Sequence, residues 1–417
     1  MNKTKLKIIS FLVLIVTIFS VQMWLKITVS NTFFFWTINY ILIYFIIQFT
    51  VRQKKIITKN YLSYTDFSII NIYFSWLLFN TIRGGIIAEN YWEWKQLING
   101  VQSLTLPIFV YIFSIPFYIN KVLNYWFKYA LIIFLLLLPF LGSGAYHFYL
   151  GPVFVVGCFL PIVPKKWKFI LGLLLITMLC IDLSARSQVI KSAMVLLVSI
   201  GILFRKFISY KLIKITHWVC YISPVIFLFL GLSGTFNIFE GLASNEGDYV
   251  ETKVIDGQVV EEDLSADTRT FIYVEVIESA LKHNYVLWGR TPARGNDSMT
   301  FGAYNAEILK TGKYERHGNE LCHPNVFTWL GLIGVVLYSL IYLRSSYLAV
   351  YQSNNIYIKF LGCFIAFRWA YGWIEDQNRF DIMNIALWMM IAMGLSKQFR
   401  IMNNRQFQTW LINIFKF

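Results

Sequence analysis

The chain has 417 residues, of which 57% are apolar, 18% aromatic and only 14% charged, with a mean hydropathy of +0.57. That balance excludes an ordinary soluble domain and reads as a multi-span membrane protein. The formal charge of +15 follows from how Lys and Arg are distributed between the connectors, and it calls for no nucleic-acid partner.

The first apolar run, 8–25, is long enough to span and is followed by Lys26 rather than a small-residue cleavage site, so it is expected to remain as the first helix. Further runs long enough to cross fall at 33–49, 67–82, 97–119, 126–141, 148–163, 167–181, 189–204, 212–232, 326–343, 356–373 and 382–395. They are continuous rather than alternating, which favours helices over barrel strands. The expected fold is an all-α integral membrane protein of about twelve transmembrane helices, each roughly 15–22 residues long, with one large extracytoplasmic loop.

Alternate connectors place 22 of the 37 Lys and Arg with a single acid, Asp66, on one side, and 15 basic with 21 acidic residues on the other. The balance is +21 against −6, and basic connectors stay cytoplasmic. Both termini are therefore expected in the cytoplasm of a multi-pass cell-membrane protein, the inner membrane in a Gram-negative cell. The expected organisation is a first helical block over 1–233, an extracytoplasmic loop with short helices over 234–322, a second block over 323–395, and an amphipathic interfacial tail over 396–417.

Four of the cysteines, Cys158, Cys180, Cys220 and Cys363, fall in predicted spans, leaving Cys322 alone outside, so no disulfide framework is implied. The sequence carries no Walker-type phosphate loop and no Asp-x-Asp pair. This argues against an ATP-driven pump and against a nucleotide-sugar transferase that needs a divalent metal.

Charge at membrane depth is costly unless it faces a cavity or partner. The 167–181 run gives about 22 Å of helix against a hydrocarbon core of about 30 Å, so residues 184–188 are expected to lie recessed. Arg186 there contacts an anion in a wet cleft, a phosphate above all, or else anchors to lipid headgroups or pairs with Asp182. Lys191, one turn deeper, favours the cleft, because two neighbouring cations need an anion between them.

The long polar passage 234–322 supplies the facing half. Phe271, Val274, Ile277 and Leu281 recur at helical spacing, which predicts a helix opening at Asp267-Thr268-Arg269. Arg269 then sits at a helix N-terminus that favours an anion, or pairs with Glu262 or Asp263. Residues 245–263, acidic and Gly-containing, hold little to pack. Residues 289–298, with Arg290 and Arg294, read as a flexible basic turn suited to a polyanion or sugar. His323 opens the next span, between Glu320 and Pro324-Asn325. Pro324 and Asn325 are ordinary helix-start residues, whereas the imidazole suits taking a proton from a sugar hydroxyl or binding phosphate, or is simply structural. Together with Cys322 and His317 it matches no strong zinc pattern, and no metal is expected.

The hairpin Ser184-Ala185-Arg186-Ser187, the Arg269-led helix in a large outer loop, the Gly-containing turn, and His323 leading into Gly331-x-x-Gly334 together resemble the bacterial O-antigen ligase and O-antigen polymerase superfamily. The resemblance covers the chain from about the seventh span onward. Members carry a Gly eleven residues after the His, as Gly334 stands to His323; this chain departs at Pro324, with Asn325 one place late, and at Leu337. Those departures bear on the ligase assignment more than on the superfamily.

What the resemblance implies is metal-independent, cofactor-free glycosyl transfer from an undecaprenyl-diphosphate-linked oligosaccharide. Arg186 and Arg269 would steady the diphosphate and His323 would deprotonate the acceptor, with Lys191, Arg290, Arg294, Glu320 and Asn325 around the substrate. Membrane lipid is an implied partner, and a chain-length regulator protein is a candidate one. The last connector, with Arg368, Trp373, Glu375, Asp376, Asn378, Arg379 and Asp381, also looks like polysaccharide polymerases. Repeat-unit polymerisation leads; ligation to lipid A-core or another acceptor, and lipid-linked oligosaccharide transport, are the alternatives.

Overall fold

The computed structural model describes residues 3–25, 32–142, 144–183, 185–233, 250–255, 258–263, 270–309 and 312–417. The helices are α1 (Lys3–Ser20), α2 (Thr32–Asn60), α3 (Tyr64–Ile87), α4 (Tyr91–Leu104), α5 (Phe109–Phe113), α6 (Pro116–Leu137), α7 (Ala145–Tyr149), α8 (Gly151–Gly157), α9 (Lys165–Cys180), α10 (Arg186–Leu203) and α11 (Tyr210–Leu232). The strands β1 (Val250–Ile255) and β2 (Gln258–Asp263) follow, then α12 (Thr270–Lys282), β3 (Asn296–Asp297), α13 (Gly302–Leu309) and β4 (Glu315–Arg316). The chain closes with α14 (Cys322–Tyr351), α15 (Ile356–Tyr371), α16 (Ile382–Leu395), α17 (Lys397–Ile401) and α18 (Asn404–Ile412).

Among the described residues, seven helical segments are long and apolar enough to cross a membrane: Leu6–Trp24, Phe33–Asn60, Tyr91–Phe113, Pro116–Phe140, Arg186–Leu203, Tyr210–Gly231 and Cys322–Tyr351. This is an all-α membrane architecture. The other runs expected to span fall on α3, which carries Asn71, Asn80 and Arg83, on the broken pair α7 and α8, and on the short helices α9, α15 and α16. The 97–119 and 126–141 runs are also divided differently: the chain turns at Ser114-Ile115, and Pro116 takes the first turn of the next helix, where its missing N–H costs nothing.

The centre of the bundle is α16. All fourteen of its residues are buried, as expected of a helix apolar on every face, and it is wrapped by α5, α8, α14 and α15. Asp381 caps its start by accepting the Asn384 N–H at 2.8 Å, while Ser20 at the end of α1 accepts the Ile382 N–H at 2.9 Å. The polar mouth of the bundle is thereby fixed to its core.

The tail forms the short helices α17 and α18. Asn403 and Gln406 form a capping box at the start of α18, and Phe407, Trp410 and Leu411 are buried. Trp410 Nε1 donates to the Pro116 carbonyl at 2.9 Å, and Asn120 Nδ2 donates to the Trp410 carbonyl at 2.9 Å. The apolar face of this amphipathic tail thus packs on α6.

The described residues of the polar passage form two short strand pairs and two helices. β1 and β2 pair antiparallel from Val250 with Asp263 to Ile255 with Gln258; the rest of the acidic 245–263 segment lies outside the described residues. Asp256-Gly257 between them is the short-range hairpin signal. Helix α12 forms, but on a face rotated from the one predicted: Ile272 and Val276 are buried with Leu321, whereas Val274 and Leu281 are exposed. The predicted first turn, Asp267-Thr268-Arg269, lies outside the described residues.

The passage docks onto a break in α14. Gly331 has φ +68° and ψ −172°, a region essentially closed to other residues. The backbone groups freed there are taken up from outside the helix. Leu332 N donates to the Val286 carbonyl at 2.8 Å and Arg290 N to the Thr328 carbonyl at 2.7 Å, while Trp76 Nε1 donates to the Leu330 carbonyl at 2.9 Å. A Cβ on Gly331 would lie 2.3 Å from the Leu287 carbonyl oxygen.

Candidate functional site

Two adjoining chambers open where α1, α2, α4, α10, α14 and α16 meet the polar passage. The larger, about 650 Å³, is lined by aromatic and amide side chains, among them Trp36, Trp92, Gln96, Asn99, Asn325 and Trp329. The smaller, about 350 Å³, is lined by charge: Lys191, Glu320, Glu375 and Asp381, with Ser187 and Asn384. Gly318, Asn319, Asp376 and Arg379 border both, so the chambers are two ends of one groove.

Local chemistry explains why these residues stand there. The connector 372–381 is stitched to the first turn of α14, whose free amides need acceptors. Cys322 N donates to the Gly372 and Glu375 carbonyls, both at 3.0 Å, and His323 N to Gly372 at 3.2 Å. Asn378 Nδ2 returns a bond to the Cys322 carbonyl at 2.9 Å. This holds Glu375, Asp376 and Arg379 on the groove wall. From the other side, Asn325 clamps Asn319: its Nδ2 donates to the Asn319 carbonyl at 2.8 Å, and its Oδ1 accepts the Asn319 N–H at 2.6 Å. Asn319 Oδ1 is buried without a partner, an acceptor awaiting a donor from the groove.

Asp376 sits at the junction. One carboxylate oxygen accepts the Asn378 N–H at 2.9 Å. Burial, with the Asp381 and Glu375 carboxylates nearby, pushes its pKa up to about 6 against the opposing pull of that N–H and of Arg379. Arg379 lies beside the stacked rings of Trp24 and Phe148, its guanidinium carbon 4.9 Å from the Trp24 centroid and 5.2 Å from that of Phe148, with Asp381 at 3.8 Å.

The residues singled out from sequence divide. Lys191 and Glu320 line the smaller chamber and Asn325 the larger. Arg186 begins α10 immediately before Ser187 and is exposed, though not on either chamber wall. Arg269 lies outside the described residues. His323 stands behind the wall: it is 2% exposed, its Nε2 is 3.0 Å from the Trp369 carbonyl, and its ring lies 4.5 Å from that of Trp373. It lines neither chamber.

Arg290 and Arg294 are not a flexible basic turn. Arg290 donates to Asp297 and to the Gly295 carbonyl, both at 2.8 Å, and Arg294 pairs with the buried Glu315. Glu315 is held below its usual range, burial being outweighed by bonds from Arg294 and the charge of Arg290. Lys313 and Glu93 tie the same assembly to α4. These arginines build the passage and leave the groove to others. Arg294→Met is expected to lower stability by about 1.5–3 kcal/mol, the worth of a charge-assisted bond, read as a fall in thermal midpoint.

Sequence reasoning passed over the amide and indole wall. Its signal was present in α4, where Trp92, Gln96, Asn99 and Ser103 recur every three or four residues within the Tyr91–Phe113 segment that is long enough to cross. Among the described residues, no cluster of His, Cys, Asp and Glu could hold a metal ion. Compared with known proteins, the chain matches no family model, no curated protein and no solved structure.

Proposed function

We propose that this protein is a polysaccharide polymerase, joining oligosaccharide repeat units of an O-antigen or capsule while they are carried on undecaprenyl diphosphate. The observation that carries the reading is the division of one groove into an amide and indole chamber and a charged chamber. Amide side chains both donate and accept, as sugar hydroxyls do, and indole faces cover the apolar faces of sugar rings. In the recess beside them, Lys191 and Arg379 would meet the diphosphate. The chain would cross the membrane about twelve times, with the groove on the extracytoplasmic side and both termini in the cytoplasm.

In this reaction the acceptor hydroxyl oxygen attacks the anomeric carbon of the donor sugar, the bond from that carbon to the diphosphate oxygen breaks, and the hydroxyl proton passes to a base. Arg379 and Lys191, which line the smaller chamber, would balance the charge gathering on the diphosphate; Arg186 starts α10 one residue before Ser187 of that chamber, and Arg269 would join from outside the described residues. Asp376 is the proton acceptor we assign. It borders both chambers, where acceptor and donor must meet, and a carboxylate titrating near 6 is ionised at neutral pH yet basic enough to help. His323, whose backbone N–H donates to the Gly372 carbonyl, would position the connector that carries Asp376.

The reading is tested by the length distribution of surface glycan with and without the gene. Loss of the protein is expected to leave single repeat units on the lipid carrier or surface lipid. Accumulation of long lipid-linked chains with no surface glycan would instead identify a ligase, and an unchanged distribution would remove both.

A further inference from the structure

Leu287 and Trp288 are apolar residues of the polar passage, yet they are 52% and 49% exposed. They lie over the seam between α3 and α14, which pack directly against each other. Both helices turn an apolar stripe outward. On α14, a helix long and apolar enough to cross, Leu332, Val336 and Leu340 are exposed one turn apart, and on α3 so are Phe79, Ile82 and Ile86. The polar residues of α3 are turned to protein instead: Asn71 accepts the Tyr111 hydroxyl at 2.6 Å and Asn80 is buried. Trp288 continues the α3 stripe, its ring 5.4 Å from that of Trp76 and 6.1 Å from that of Phe79.

The backbone of this tip is fitted for a place without water. Four consecutive carbonyls are bonded inside the protein. Val286 accepts Leu332 N at 2.8 Å and Leu287 accepts Ile333 N at 3.4 Å, while Arg83 Nη1 donates to the Trp288 carbonyl at 3.1 Å and to that of Gly289 at 3.3 Å. Non-helical backbone persists at membrane depth only where protein satisfies its polar groups in this way. Depth agrees. The Asp66–Arg344 ion pair, at 2.7 Å, joins α3 and α14 toward their other ends. Along the helices, Phe79 stands about 20 Å from Asp66 and Leu332 about 18 Å from Arg344. A hydrocarbon core of about 30 Å counted from that pair therefore takes in Leu287 and Trp288.

We propose that Leu287 and Trp288 are inserted among the acyl chains of the leaflet on the side of the polar passage. Residues 286–289 then form a re-entrant tip whose backbone faces α3 and α14 and whose side chains face lipid. The occupant is acyl chain, because the face is continuous with the apolar stripes of α3 and α14, and Arg83 at its edge is held by the tip's own carbonyls. The bilayer thereby helps to hold the polar passage on the break in α14. None of this depends on the polymerase reading.

The test reconstitutes the full chain in phosphatidylcholine nanodiscs that include a phosphatidylcholine with a diazirine on one acyl chain. After irradiation, lipid adducts are located by mass spectrometry of the peptides. Adducts are expected on Leu287 and Trp288 as on Leu332 and Val336, and not on Met299 or Tyr304, which are more exposed but lie elsewhere on the passage. Adducts on Leu332 and Val336 with none on Leu287 and Trp288 would overturn the proposal; coverage of the tip by a second copy or another protein would read in this way. Labelling of Met299 as heavy as that of Trp288 would overturn it too, since adducts would then follow exposure and not depth. In a second measurement, Trp288→Glu, which drives a charge into the acyl layer, is expected to open residues 284–298 to protease, whereas Trp288→Leu is not. Equal cleavage of the two variants, or equal resistance, would mean that lipid does not govern the tip and would be just as fatal.

Discussion

Asp376→Asn is expected to reduce chain growth by about 10²–10⁴-fold, the range that general base catalysis contributes, while leaving the protein folded and inserted. Asn keeps the size of the side chain and can still accept the Asn378 N–H, so only the proton acceptor is lost. In the unaltered protein, the rate of elongation by purified protein given lipid-linked repeats should rise through pH 6 and level off above it. Stability should move the other way. A carboxyl raised from 3.8 to about 6 in the fold binds its proton more readily folded than unfolded, so its contribution is fully present below about pH 4 and is lost as pH climbs through 6. One residue thus produces two pH dependences of opposite sign, and both should vanish in Asp376→Asn. Full elongation by that variant would take the base away from Asp376 and return attention to His323.

His323 shows where sequence reasoning reached its limit. The order of elements was legible because apolar runs and Lys/Arg connectors obey rules of composition: the first two helices, α10, α11 and α14 fall close to their predicted runs. The connector 372–381 was legible as charge beside the mouth of the bundle. Which side of a helix start faces a groove was not. The imidazole of His323 and the carboxylate of Asp376 lie on facing segments, and only the bonds from Cys322 N and His323 N to the connector turn one toward Trp369 and the other toward the groove. In the same way, Arg290 and Arg294 looked free for a ligand because Glu315 and Asp297, their partners, lie up to 25 residues away along the chain and come close only through the β3–β4 pairing. Long-range ion pairs leave no periodicity to read.

The second large effect is expected at Gly331, which lines neither chamber. A residue with a Cβ at φ +68°, ψ −172° carries a backbone penalty of about 1–3 kcal/mol. In Gly331→Ala the added carbon would also lie 2.3 Å from the Leu287 carbonyl oxygen and 2.4 Å from Gly289 N. Gly289, itself at φ +75° and equally close to the α14 backbone, cannot yield, so residues 286–290 must lift. That leaves Leu332 N and the Thr328 carbonyl without their partners, each worth about 1–3 kcal/mol when buried and unsatisfied. The summed cost, about 4 kcal/mol or more, is in the range where a single substitution unfolds a domain or a segment of it. The outcome to look for is a polar passage that protease cleaves between 284 and 298 while α1 to α11 remain inserted, together with loss of elongation, because the passage also carries Gly318 and Asn319 on the groove wall. Gly85→Ala supplies the comparison. Its added carbon would meet the Trp94 ring at 3.6 Å, an ordinary contact, so it should leave the passage resistant to cleavage; equal sensitivity of the two variants would mean that the break in α14 is not what holds the passage to the bundle.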